Sequence, residues 1–269
     1  MKLSSAALAT ALGLCIALPA SAHKAWLQPS STVFSDTGAW LTVDAAVSND
    51  LFYFNHVPLR LEGLNVTAPD GTPVQPQNLS TGKLRTVFDV ELVQQGTYKI
   101  GVLNEGMSAT YKLGGEDKRW RGKAEAFSKE IPAGATDVKA TQSLGRVETF
   151  ATVGSPTTTV FRTSGKGIEL VPVTHPNDLF AGESATFQLL VDGKPASGLK
   201  VELVPGATRY RDQQNQIQAT TGNDGKFQVT WPQPGMYWLE TVAEDQKSTL
   251  PEAKQRRLSY VAVFEVLPQ

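Results

Sequence analysis

A two-residue beat runs through this chain. Leu41, Val43, Ala45 and Val47 alternate with Thr42, Asp44 and Ala46, and Ala185, Phe187 and Leu189 alternate with Thr186 and Gln188. That is the period of a strand with one face buried. Asp70-Gly71 and Asp192-Gly193 fall between strand-like runs and mark turns that need positive φ. The 16 prolines and 23 glycines lie mostly between the short strands. Long runs with helical spacing and end caps are absent. The pattern predicts an all-β protein built as a sandwich.

A weak internal repeat divides the chain. Phe88-Asp89-Val90 followed by Gly96-Thr97-Tyr98 has the same spacing as Phe227-Gln228-Val229 followed by Gly235-Met236-Tyr237. Each copy reads as a strand, a tight turn at glycine, and a strand with tyrosine near its start. Tyrosines so placed cap the corner of immunoglobulin-like sandwiches. Two such domains in tandem are expected, over residues 23–165 and 166–269. Between the copies, Asn104 to Gly167 reads as an irregular insert. It has a polar, turn-rich stretch at Gly114–Gly122, a short helix near Ala124–Phe127, and a return to the first sheet at Arg146–Val153.

The N-terminus reads as a signal peptide over residues 1–22. Lys2 supplies the positive end, Ala6 to Leu18 are almost wholly apolar, and Ala20-Ser21-Ala22 is an A-x-A cleavage site. The apolar run is shorter than the ~20 residues of a membrane span. Leu14, rather than a small residue, precedes Cys15, which argues against lipidation. Cleavage removes Cys15, the one cysteine, so the mature chain has neither a disulfide nor a thiolate metal site. A periplasmic location is expected. Charge is nearly balanced, with 25 basic and 26 acidic residues before cleavage, and there is no basic stripe for nucleic acid.

No phosphate-binding loop, G-x-S-x-G elbow or H-E-x-x-H motif is present, and no catalytic residue is assigned. The chain has three histidines, His23, His56 and His175. Cleavage after Ala22 makes His23 the first residue, with a free α-amine. An N-terminal histidine chelates a metal through its amine and Nδ1, and one more imidazole completes a three-nitrogen set that suits Cu(II), and Ni(II) less well. His56 follows Leu51-Phe52-Tyr53-Phe54-Asn55 and is the expected second ligand. His175, in Val173-Thr174-His175-Pro176, is a third candidate, although a hydrogen-bonded place at the domain junction suits it better.

The opening His23-Lys24-Ala25-Trp26-Leu27-Gln28-Pro29 resembles the A-H-x-x-W-L-x-P start of a bacterial periplasmic family, domain of unknown function 4198. That family is described as a periplasmic component of cobalt/nickel transport. Gly167-Ile168-Glu169-Leu170-Val171-Pro172-Val173-Thr174-His175-Pro176 resembles its second signature. The resemblance implies a β-rich periplasmic protein tied to uptake or handling of divalent transition metals, and it carries over His23 alone. The expected function is a non-enzymatic binding protein for nickel, cobalt or copper that supports a membrane transporter. Two other readings stand beside it. One is a copper-dependent oxidative enzyme acting on polysaccharide, with Trp26, Trp40 or Trp120 lining a sugar surface. The other is a metal-free adhesive or scaffolding sandwich.

Overall fold

The computed structural model describes residues 23–269, so the expected signal segment and its cleavage site lie outside the described residues. Over the described residues the chain is an all-β, immunoglobulin-like assembly of three sheets, with one short α-helix, Ala124–Glu130. One outer sheet has five strands. Ala39–Ser48 lies between Lys24–Pro29 and Thr86–Leu92, Gln77–Thr81 continues beyond Thr86–Leu92, and Val57–Pro58 pairs with the end of Ala39–Ser48. The middle sheet has ten strands and includes Lys200–Pro205, Gly235–Asp245, Gln255–Val266, Thr136–Val153 and Gly96–Leu113 in that order. The third sheet has four, among them Ile168–Pro172, Ser184–Val191 and Lys226–Thr230.

Alternation along the middle strands explains the layering. Successive side chains point to opposite faces. Val261 and Val263 pack into the core under the five-stranded sheet, while Tyr260, Ala262 and Phe264 pack into the core under the four-stranded one. Trp238 and Val204 follow the first pair, Tyr237, Leu239 and Leu203 the second. A strand buried on both faces reads as a continuous apolar run, which accounts for Tyr260-Val261-Ala262-Val263-Phe264. The two sandwiches therefore share their middle sheet. The boundary placed at residue 165/166 falls in the connection from Thr136–Val153 to the third sheet. Strands on its two sides pair directly: Thr136–Val153 lies parallel to Gln255–Val266.

The repeat is present and related across this sheet. Tyr98 accepts a hydrogen bond from the Gln94 amide at 2.7 Å, and Tyr237 donates one to the Gln233 carbonyl at 2.8 Å, each four residues back. The glycines two residues before them have φ of 117° and 132°, a conformation that side chains disfavour. Tyr98 belongs to one core and Tyr237 to the other.

The irregular insert is corrected. The strand from Gly96 runs on to Leu113, Glu116–Gly122 returns beside it, and Thr136–Val153 is one strand of 18 residues. Together they form a β-arm, with the predicted helix laid against it. A small separate core of Met107, Ala109, Phe127, Ala140 and Ala253 holds the arm. Lys118, Arg119 and Arg121 on its outer strand are exposed, so this strand lacks the alternation that marks a half-buried one.

Candidate metal centre

His23 immediately precedes the edge strand Lys24–Pro29, whose Lys24 is registered with Ser48. His56 immediately precedes Val57, which is registered with Val47 from the other side of the same strand. The two histidines thus converge on the end of Ala39–Ser48 from its two flanks. Their rings stack with centroids 4.1 Å apart and planes 16° from parallel. Both residues are exposed.

The loop between Ser48 and His56 is built to hold its end. The Asn55 side chain donates to Asp50 at 2.7 Å and accepts from the Asn49 amide at 3.1 Å, while the Asn55 amide donates to Ser48 Oγ at 3.3 Å. Leu51 plugs the core. Phe52 takes a left-handed φ of 58°, a conformation of order 1–3 kcal/mol in cost for a bulky residue. Phe52 and Phe54 pack against buried Trp26, with ring centroids at 5.7 and 6.3 Å. These two aromatics are packing residues that fix the loop, while Tyr53 faces outward.

His175 is placed elsewhere, and its nitrogens are in use. Nδ1 accepts from the Asn177 amide at 3.1 Å. Nε2 lies 3.0 Å from Thr97 Oγ1 and 3.3 Å from the Thr157 carbonyl. An Nδ1 that accepts leaves the ring proton on Nε2, which donates. Burial lowers the pKa of His175, which favours the neutral ring. Both nitrogens of His175 are thus taken up by hydrogen bonds at the junction of the two sandwiches, the alternative place expected for it.

The expected aromatic surface is also dispersed. Trp26 is buried in the core, and Trp120 sits on the arm against Phe127 with its Nε1 donating to Glu130. Trp40 lies eight residues back along its strand from Ser48, roughly 25 Å at the rise of a strand. Asp50 is engaged with Asn55, and Asp44 with Arg85 at 3.2 Å. Among the described residues no three His, Cys, Asp or Glu side chains gather as a metal site. The pair His23–His56 supplies two imidazoles, and a third nitrogen at that point of the chain is the backbone nitrogen of His23 itself. Sequence reasoning missed Glu202 and Trp238, which touch the residues just after His23 from the far half of the chain. With sequence separations of 178 and 213 residues, no local signal marks them.

The sequence pattern of DUF4198, a domain of unknown function, matches residues 20–245. No curated protein matches the chain. Among solved structures, the D0-D1 domain of intimin is 10% identical, with 88% of this chain and 96% of that one covered and a TM-score of 0.21. A DUF4785 family protein from Legionella pneumophila is 11% identical over 80% of this chain and 50% of that one, with a TM-score of 0.23. A marsupial T cell receptor is 9% identical over 91% and 72%, with a TM-score of 0.22. Similarity at these values carries nothing about function.

Proposed function

The chain belongs to the DUF4198 family, and from that premise we propose that it is an exported binding protein for a divalent transition metal, nickel, cobalt or copper. The metal is cargo, captured by the α-amine and ring of His23 with the ring of His56 and passed to a membrane transporter. The observation that supports this reading is the 4.1 Å approach of two exposed rings from segments 33 residues apart in a chain with three histidines. Stacked rings turn edge to edge to share one ion, and their exposure leaves room for that rotation. Two imidazoles and an amine form a nitrogen set suited to tetragonal Cu(II) and to Ni(II). Export and cleavage after Ala22 are part of the proposal, since in a peptide bond the His23 nitrogen has no lone pair to give. For the oxidative reading, Trp26 is buried under the His56 loop and Trp40 and Trp120 lie away from the pair, so none of the three offers an exposed ring beside it.

The test is calorimetry with Cu(II) and Ni(II) on a chain beginning at His23 and on one that retains residues 1–22. The chain beginning at His23 binds much more tightly, and its affinity falls as pH is lowered, because protons compete for the same lone pairs. His23→Ala loses most of the affinity, His56→Ala part of it and His175→Ala little. Equal affinity of the long and short chains removes the amine from the site.

A further inference from the structure

Lys24, one residue beyond the proposed chelate, is placed unusually for a lysine. Lysines are almost never buried unless paired, yet the side chain of Lys24 is 11% exposed. Its ammonium lies 4.2 Å over the ring of Trp238 and 3.4 Å from Glu202 Oε1. Glu202 is registered directly opposite Glu240 on the neighbouring middle-sheet strand, so the ammonium also offsets the repulsion between those two carboxylates. The indole Nε1 of Trp238, itself buried, donates to the Ala25 carbonyl at 2.8 Å. The side chain of residue 24 and the backbone of residue 25 are thus both held by the middle sheet.

The His56 loop is held from the same half of the chain. The Arg209 guanidinium lies 4.0 Å over the ring of Tyr53. Gly206 backs onto Phe52, where a Cβ would come within 3.2 Å of the phenyl ring and 3.1 Å of the Met236 carbonyl. Arg211 donates to the carbonyls of Pro205, Gly206 and Gln214 and stiffens the segment that makes these contacts.

We propose that Lys24, locked between Glu202 and Trp238, is the positioning residue for the terminal chelate, so that strands of the C-terminal half set the affinity of a site whose ligands all lie in the first 56 residues. The inference rests on the reading of His23 and His56 as ligands. A chain terminus frays unless it is tied down, and a chelate ring through the amine and Nδ1 closes only when both are presented to the same point. The clamp supplies that order before metal arrives. Arg209 on Tyr53 does the same for His56.

The experiment uses the full chain beginning at His23. Cu(II) affinity is read by competition with a chromogenic chelator, and the coordination by electron paramagnetic resonance of the Cu(II) adduct. The melting temperature of the metal-free protein is measured alongside. Lys24→Met weakens Cu(II) binding about tenfold, the lower end of what groups supporting metal ligands contribute, and broadens the resonance. Lys24→Arg, which keeps both the charge and the ring contact, restores the parent value. Trp238→Phe keeps a ring but loses the bond to Ala25, and weakens binding in the same way. Parent-like affinity in both Lys24→Met and Trp238→Phe overturns the clamp while the metal site stands. Weakening that tracks a fall in melting temperature and that Lys24→Arg fails to rescue also overturns it. A parent protein that binds neither Cu(II) nor Ni(II) overturns the metal site and the clamp together.

Discussion

Burial lowers the pKa of His175, and that direction fixes how this one residue couples stability to pH. As pH falls through about 6.5, the ordinary value for histidine, the unfolded chain takes up a proton that the folded ring resists. The contribution of His175 is therefore complete above that pH and is lost as pH drops toward its lower folded value, by at most about 1.4 kcal/mol per pH unit for one proton. Urea midpoints measured from pH 7.5 down to 5 show the decline, and His175→Gln flattens it. The difference between the two proteins isolates His175 from Glu240, whose pKa burial raises, tilting stability the other way. Scarcity made the three histidines legible, and the expected cleavage after Ala22 singled out His23. The sorting of His56 from His175 was only partly legible. A proline follows each closely, Pro58 two residues after His56 and Pro176 directly after His175, and what separates them is the partners Thr97, Thr157 and Asn177 gathered by folding. Lys24 was least legible, because a lysine next to an expected chain start looks solvated until a tryptophan 214 positions later covers it.

Among the elements, the paired strands Gly235–Asp245 and Gln255–Val266 are pinned to the third sheet by Arg256. Its guanidinium reaches Asp245 at 2.6 Å and Asp192, in the turn of the third sheet, at 2.7 Å. These contacts hold both carboxyls below their ordinary range. Arg256→Ala leaves two carboxylates facing each other beside an emptied buried site, and costs about 3 kcal/mol or more in denaturant unfolding. Arg256→Lys recovers only part, because an ammonium lacks the fork that spans both acids. The strands Ala39–Ser48 and Ser184–Val191 were legible because each has one wet face and so alternates. The arm strand Glu116–Gly122 was not, since its side chains are mostly solvated. Nor was the pairing of Thr136–Val153 with Gln255–Val266, a match across more than a hundred residues that leaves no mark on local pattern.

At the scale of the whole molecule, the shared sheet makes the two sandwiches one folding unit. The core under the five-stranded sheet is filled in part by Val204, Trp238, Val261 and Val263 from beyond residue 166. A chain cut to residues 23–165 exposes that core and does not fold alone, and circular dichroism of the fragment without the near-ultraviolet signal of packed aromatics is the expected result. The full chain gives one calorimetric transition whose van't Hoff and calorimetric enthalpies agree. A second, separate transition contradicts the single unit. The strand Gln255–Val266 pairs on both sides, parallel to Thr136–Val153 and antiparallel to Gly235–Asp245, and it is the last of the described strands in chain order. Non-local strand pairing of this kind folds slowly. A polypeptide synthesised from its N-terminus lacks this keystone until residues 255–266 have emerged from the ribosome. Neither core closes before then, because both take side chains from this strand.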